Sequence, residues 1–187
     1  MAQGVVSVLD QQNYEIVENL WAEMRQRFGV GDPEIEAMPH FSYHVVENYD
    51  DEAVVGVLQE VAGAERPFTI KASGIGIFPA LSPTVYVPIV RTLELTRLHS
   101  RLVTQLDIIA QDSNPHYAPN AWIPHITLGH YDITLEKLGP ISQWLHQQAI
   151  NWTITIDNFY ILTDDTRSHV EKFLVLVFSV VGLQTRA

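Results

Sequence analysis

The chain has 187 residues, of which 47% are hydrophobic and 18% charged, a composition typical of one globular unit with a sizeable core. Twenty-two acidic residues against 11 basic ones give a formal net charge of -11, which argues against a protein that grips long DNA or RNA by its phosphates. A small anionic ligand in a local pocket is compatible with that charge. The absence of cysteine excludes disulfides, zinc–thiolate sites and thiol nucleophiles.

The N-terminal segment lacks a basic region followed by an apolar stretch, so no signal peptide is predicted. The most apolar segment, from Phe173 to Leu183, is too short to span a bilayer and is predicted to be a buried strand. We therefore expect a cytoplasmic protein that has no membrane partner. We also expect it to be a monomer.

Helical and extended segments follow one another along the chain. Asp10 can cap a first helix that ends at Gly29, where the following Gly and Pro residues stop it. Further helices are predicted over 50–63 and 92–110, and from Asp132 or Thr134 to 148. Strands are predicted over 5–9, 40–46, 68–77, 84–90, 126–131, 151–162 and 173–180. Helices beside strands that are too closely spaced for parallel crossovers predict an α+β fold with antiparallel sheets.

Two interruptions stand out in this pattern. Gly74 and Gly76 break the long strand 68–77, which predicts a bulge or a close backbone approach there. The segment 111–124 contains three prolines and is predicted to be the main connection of the chain.

One hexapeptide pattern occurs twice. Met-Pro-His-Phe-Ser-Tyr at 38–43 is followed 85 positions later by Ile-Pro-His-Ile-Thr-Leu at 123–128. Alternate residues of a strand share a face, so the histidine and the hydroxyl residue of each copy point one way and their apolar neighbours the other. One such triplet is expected by chance, but two in matching contexts predict a functional pair. The four residues singled out are His40, Ser42, His125 and Thr127.

The chemistry that suits this arrangement is phosphoester cleavage without a metal. One imidazole removes a proton from the attacking oxygen, and the other gives a proton to the leaving oxygen. Histidine suits both roles because its unperturbed pKa lies near neutrality, at about 6.5. The neighbouring hydroxyls can donate hydrogen bonds to the phosphoryl oxygens as charge develops.

The two motifs resemble those of the 2H phosphoesterases, which include bacterial 2'-5' RNA ligase-like proteins and cyclic phosphodiesterases. The segment Ser73–Pro79, the strand after it and the approach to the second motif through Trp122 are also similar to that family. The resemblance implies two pseudo-symmetric lobes, each an antiparallel sheet with outer helices, around a central groove. It thus predicts a single domain over 1–187, with interleaved lobes and a boundary at roughly 90–124.

The same resemblance implies an activity and a set of roles. It implies hydrolysis of a 2',3'-cyclic phosphate or of 2'-5'-linked nucleotides, without a metal or other cofactor. The substrate would be a small nucleotide or a short RNA end, and not DNA. In relatives the first histidine tends to donate the proton and the second to accept it, which assigns those roles to His40 and His125. Ser42 and Thr127 would bind the phosphate.

Two departures from the family pattern leave alternatives open. Ser42 stands where threonine is commoner, and 129–131 stands where RNA-processing relatives often place a basic residue. With the acidic net charge, the second departure favours a small nucleotide over polymeric RNA. The alternatives are a non-catalytic nucleotide-binding module of the same fold and a 2'-5' RNA ligase. A metal hydrolase is weaker, because no helical His-x3-His or His-Glu pair is present.

The remaining histidines have structural interpretations. His44 is expected to face solvent on the same side of its strand as the first motif, and His130 to lie opposite the second. His99 and His146 are expected at surface or partly buried helical positions, and His116 is a candidate for the rim of the groove. The cations nearest the predicted strand ends are Lys71, Arg91 and Arg97. The aromatic residues considered for stacking on a base are Tyr43, Tyr86 and Tyr160.

Overall fold

The computed structural model describes residues 2–31, 38–164 and 171–178. Its α-helices are α1 (Gln11–Phe28), α2 (Asp51–Ala64), α3 (Leu93–Leu106) and α4 (Leu135–His146). The longer strands are β1 (Ala2–Val8), β2 (His40–Val46), β4 (Phe68–Ser73), β6 (Thr84–Pro88), β8 (His125–Gly129), β9 (Asn151–Ile156), β10 (Asn158–Asp164) and β11 (Glu171–Val177). Three short strands complete the set, namely β3 (Asn48–Tyr49), β5 (Gly76–Phe78) and β7 (Ala110–Gln111).

Two antiparallel sheets form the framework of the fold. The first has the order β11-β10-β1-β2, and α2 and α3 pack against it. The second contains β5-β6-β8, with the pair β4-β9 attached through a bridge between Ala72 and Ile89, and α1 packs on β8 and on α4. The predicted α+β fold of two lobes with outer helices around a central groove is therefore confirmed. The motif strands β2 and β8 are each an edge of their sheet, and they approach one another across the groove.

Local sequence signals explain the helix ends. The Asp10 carboxylate accepts a hydrogen bond from the backbone N–H of Asn13 at the start of α1, and Gly29 ends that helix with a left-handed φ of 61°. Of the two candidate caps for α4, the structure uses Thr134, whose hydroxyl accepts from the backbone of Lys137. The helix α3 ends at Leu106, four residues before the predicted end.

One apolar core runs through both lobes. The apolar residues that follow each motif histidine and each hydroxyl residue are almost fully buried in it, with exposures of 0–1% for Phe41, Tyr43, Ile126 and Leu128. This burial fixes the opposite face of each motif strand toward the groove.

Two predicted strands are each divided in the structure. The strand 68–77 breaks at Gly74, where φ is 75°, into β4 and β5. The predicted strand 151–162 is wrong as a single element, because β9 pairs with β4 in the second lobe while β10 pairs with β1 in the first. The switch is fixed by the Asn158 side chain, whose amide accepts from the Val8 N–H at 2.9 Å and donates to the Val8 carbonyl at 3.0 Å.

Some predicted features cannot be compared with the structure. Most of the acidic loop after α1 and of the turn after β10 lies outside the described residues, at 32–37 and 165–170. The single domain over 1–187, with its boundary at roughly 90–124, stays a prediction. Within the described ranges, no helix combines the length and the apolar character that crossing a bilayer requires.

Candidate active site

Both motif strands carry a β-bulge at the same place in the motif. In the first, Val6 pairs with Ser42 and Val5 with His44, which leaves Tyr43 as the extra residue. In the second, Tyr86 pairs with Thr127 and Val85 with Gly129, which leaves Leu128 as the extra residue. Before each bulge the strand alternates, so the histidine and the hydroxyl residue of both motifs are half-buried on the groove face.

The two motif histidines are held in the same way. Nδ1 of His40 donates to the Met38 carbonyl at 2.7 Å, and Nδ1 of His125 donates to the Ile123 carbonyl at 2.7 Å. A carbonyl only accepts, so the proton of each neutral ring sits on Nδ1 and Nε2 is left as the working nitrogen. Each ring is thus oriented by the backbone two residues before it.

The proline before each histidine anchors its strand to the neighbouring one. The Pro39 carbonyl accepts from the backbone N–H of Leu9 at 3.1 Å, and the Pro124 carbonyl accepts from that of Ile89 at 2.9 Å. A proline lacks an N–H, which suits the first residue before an edge strand. The two halves of the site therefore repeat one another in backbone and side chain.

Burial lowers the pKa of both motif histidines. For His40 the effect of burial is partly offset by its hydrogen bond to Met38, and positive charge on His125 or His130 lowers the pKa further. For His125 burial again lowers the pKa, partly offset by the bond to Ile123. The His40 ring is thus close enough to the rings of His125 and His130 for their charge to affect its pKa. Because both pKa values are lowered, the two motif imidazoles are mostly neutral near pH 7.

Two aromatic rings support the His125 imidazole from the second sheet. Phe78 and Tyr86 stack on each other with centroids 4.1 Å apart, and they meet the His125 ring edge-on at 4.9 and 5.1 Å. Gly76 lies opposite Tyr86 in the β5–β6 pair, and a Cβ at that position would overlap the Tyr86 ring. The close approach predicted for this Gly-rich segment is therefore present, and it places an aromatic ring against His125.

Replacing Gly76 with alanine is expected to lower turnover about a hundredfold, because the displaced Tyr86 ring no longer holds His125 in place. Overpacking should also reduce the free energy of unfolding by about 1–3 kcal/mol. Turnover and thermal unfolding check both effects. Gly56→Ala is the matched control, because a Cβ on that glycine of α2 meets nothing within 4 Å. Wild-type turnover in Gly76→Ala would show that Tyr86 does not position His125.

The backbone of the first motif is fixed by the connection that leads to the second. The Trp122 indole N–H donates to the Ser42 carbonyl at 2.9 Å, and Nε2 of His99 donates to the Tyr43 carbonyl at 3.0 Å. The His99 ring stacks on Trp122 with centroids 3.7 Å apart. The Tyr117 hydroxyl lies beside the Ser42 side chain, which partly offsets the rise that burial causes in the Tyr117 pKa.

The supporting contacts of these residues were not predicted from the sequence. His99 was expected at a surface or partly buried position, but it is 0% exposed, and burial lowers its pKa to about 4. Helical spacing did place it next to Leu98 and Leu102, but nothing in the sequence identified the motif strand as its partner. Arg91 also supports this connection, because its guanidinium donates to the carbonyls of Pro119 and Trp122 at 3.0 Å.

The prediction that His44 faces solvent is wrong. His44 is 1% exposed, its Nε2 donates to the Asp107 carboxylate at 3.0 Å, and its Nδ1 accepts from the Tyr49 hydroxyl at 2.9 Å. The bulge at Tyr43 shifts the alternation of the strand by one residue and turns His44 inward. Its partner Asp107 forms the C-cap of α3, so this contact ties the first motif strand to the end of that helix.

The bulge in the second motif has the corresponding effect on His130. This residue was expected on the face opposite His125, but the extra residue Leu128 turns it toward the groove side, where positive charge on its ring would lower the pKa of His40. His130 is half-buried, and its ring lies 4.0 Å from the Tyr131 ring at an interplanar angle of 45°. The expectation for His130 is therefore wrong for the same reason as that for His44.

Several other histidines, cations and aromatic residues considered from the sequence are either exposed or buried in the core. His116 and His146 are exposed, as are Lys71 and Arg97. Tyr43 is fully buried and hydrogen-bonded to Ser7 at 2.9 Å, so it is not available to stack on a base. In the part of the chain that the structure describes, no three His, Asp or Glu side chains gather as a metal site would require.

The comparisons with known proteins identify the family of the chain and agree with its fold. The family model for the 2'-5' RNA ligase superfamily matches residues 15–167, so the chain belongs to this superfamily of 2H phosphoesterases. A curated Bacillus cereus protein that is provisionally named a phosphoesterase is 27% identical over 115 residues. That match covers 59% of this chain and 60% of the relative, so the chain aligns with less than two thirds of that protein's length.

Solved structures show the same fold at low sequence identity. The crystal structure of TT0787 of Thermus thermophilus matches with a TM-score of 0.66 and 14% identity, over 95% of this chain and 98% of that one. Escherichia coli LigT, solved as a complex with 3'-AMP, matches with a TM-score of 0.53 and 16% identity, over 95% and 97% of the two chains.

Proposed function

We propose that this protein is a metal-independent phosphoesterase that hydrolyses 2',3'-cyclic phosphates or 2'-5'-linked nucleotides by two-histidine acid–base catalysis. The observation that supports it best is the repeated construction of His40 and His125. Each ring is bonded through Nδ1 to the backbone carbonyl two residues before it, which leaves two Nε2 atoms for proton transfer at one groove. Membership of the 2'-5' RNA ligase superfamily supports the same class of chemistry.

The proposed reaction on a 2',3'-cyclic phosphate uses one water molecule. Nε2 of neutral His125 accepts a proton from the water as its oxygen bonds to phosphorus. The bond from phosphorus to the 3' oxygen breaks, and protonated His40 gives that oxygen its proton, which leaves a 2'-phosphate. The hydroxyls of Ser42 and Thr127 donate to the non-bridging oxygens as negative charge develops. Exchange with solvent then restores both histidines.

Two further observations favour a small nucleotide as the substrate. The net charge of -11 disfavours a long polyanion. The relative LigT was crystallised with 3'-AMP, a mononucleotide. We propose a mononucleotide ligand for this chain as well, with a short RNA end as the larger substrate of the same chemistry.

One substrate panel tests the proposal. The protein is incubated with 2',3'-cyclic mononucleotides, 2'-5'-linked dinucleotides and RNA ending in a cyclic phosphate, and the products are identified by mass spectrometry and chromatography. Release of 2'-phosphates supports the proposal, and joined RNA ends would indicate a ligase instead. Tight nucleotide binding without any product would indicate a binding module of the same fold.

The pKa directions of the two histidines predict an acidic optimum for kcat/KM. The reaction requires one protonated and one neutral ring, and both pKa values lie below the ordinary 6.5. As pH falls from about 8, the fraction of protein with one ring protonated rises, and below both pKa values the base is lost. We therefore expect a bell-shaped profile with its maximum below about pH 6.5. A maximum above pH 7 would contradict the assigned lowering of both pKa values.

A further inference from the structure

A cavity of about 270 Å³ opens next to the first motif, on the groove face of the first sheet. Val8 lines it and is the strand partner of His40, while Met38, whose carbonyl holds the His40 ring, lines it as well. Tyr160 is paired with Val6, and Val6 is paired with Ser42. Directly paired residues of antiparallel strands share a face, so the Tyr160 side chain lies on the same face of the sheet as the side chains of His40 and Ser42. The described lining residues are Val8, Leu9, Gln11, Tyr14, Met38 and Tyr160.

Apolar and aromatic side chains line the cavity together with polar atoms. Val6, Met38 and Leu162 form a small buried cluster apart from the main core, and Val8, Tyr14 and Tyr160 pack against it. Tyr14 comes from α1 and Tyr160 from β10, so the two rings reach the cavity from different elements of the fold. Both side chains are half-buried, which leaves part of each available for contact with a ligand.

The charges around the cavity disfavour a phosphate inside it. No lysine or arginine is among its described lining residues. Two acidic side chains lie near the cavity instead. The Glu15 carboxylate accepts a hydrogen bond from the Gln11 amide at 2.6 Å, and burial together with the nearby Glu18 carboxylate raises the pKa of Tyr14. A neutral, planar group fits such surroundings, and the Gln11 carboxamide offers polar contacts at the edge. The volume is below the range of about 300–1,000 Å³ that drug-sized ligands occupy, which suits a single base.

We propose that this cavity binds the nucleobase of the nucleotide whose phosphate lies between His40 and His125, with Tyr14 and Tyr160 as its aromatic contacts. The inference rests on the proposed function, because it takes the phosphate position from that site. The inference adds that the groove has two parts with different ligands. The motif residues hold the anionic phosphate, and the adjoining aromatic cavity holds the uncharged base.

The test compares two substrates that differ only in the base. Steady-state kinetics are measured with adenosine 2',3'-cyclic phosphate and with methyl riboside 2',3'-cyclic phosphate, which has a methoxy group in place of the base. Loss of one aromatic contact in Tyr14→Ala or Tyr160→Ala should raise KM for the adenosine substrate roughly 5-fold to 100-fold. The kcat of that substrate, and both constants for the methyl riboside, should stay near wild-type values. Equal changes for both substrates, or no change for either, would overturn the proposal.

Two controls keep the test informative. Tyr14→Phe and Tyr160→Phe keep the rings and should retain the wild-type KM, which separates ring contact from any effect of the hydroxyls. Thermal unfolding shows whether Tyr14→Ala and Tyr160→Ala are folded. If one of them is not, the other tyrosine variant and Gln11→Ala at the exposed edge of the cavity are measured instead.

Failure of the proposed function can be told apart from failure of this inference. If no substrate is turned over, calorimetry with adenosine 2'-monophosphate and with ribose phosphate still measures whether the base adds affinity. A contribution of the base that Tyr160→Ala removes supports the cavity even in a protein without turnover. Equal affinity for the two ligands in the wild type would overturn the inference.

Discussion

Replacement of either His40 or His125 with alanine is expected to lower kcat roughly 10²- to 10⁴-fold, because each change removes one of the two proton-transfer groups. The double variant should lose little more than either single one, since the two groups act together in one step. Both side chains are half-buried, and each Nδ1 hydrogen bond goes to the backbone carbonyl two residues before it, so the melting temperature should change little. Steady-state kinetics on the best substrate of the panel, with thermal unfolding, check these expectations.

The matched control is His146→Ala, which removes an exposed imidazole from the end of α4. It should keep wild-type turnover. Full activity in His40→Ala or His125→Ala would exclude the two-histidine mechanism. A diester with a nitrophenolate leaving group separates the two roles, because that group needs no proton. If His40 is the acid, His40→Ala should lose far less activity on that diester than His125→Ala does.

Replacement of Trp122 with alanine is expected to lower the free energy of unfolding by about 3–5 kcal/mol and to lower kcat as well. The stability effect follows from removing a side chain that is only 2% exposed and that packs against His99 and Arg91. The kinetic effect follows from the lost hydrogen bond to the Ser42 carbonyl, which fixes the backbone of the first motif. Chemical denaturation and steady-state kinetics measure the two effects.

The more conservative change Trp122→Phe isolates the second effect. It keeps an aromatic ring but removes the indole N–H, so the partly buried Ser42 carbonyl loses its donor, at a cost of about 1–3 kcal/mol. Trp144→Phe is the matched control, because Trp144 is similarly buried but packs against Phe28 in the other lobe. We expect a lower kcat in Trp122→Phe than in Trp144→Phe at comparable stability. Equal kcat in the two variants would show that Trp122 supports the core alone.

The site was predictable to the extent that it depends on neighbouring residues in the chain. The alternation of polar and apolar residues in each motif predicted which side chains would share a face, and the structure has His40 and Ser42 half-buried with Phe41 and Tyr43 in the core. The roles of the four motif residues stay predictions until the variants are measured. The supporting contacts of Trp122 and His99 were not predictable, because they join residues 80 and 56 positions apart.

The sequence by itself determined the α+β class, the caps of α1 and the doubled motif, because each of these depends on spacing within a few residues. Tertiary structure alone decided that β9 and β10 belong to different lobes, and that His44 turns inward while His130 turns toward the groove. The reason is strand register. A β-bulge exists only between two paired strands, and one extra residue reverses the face of every side chain after it.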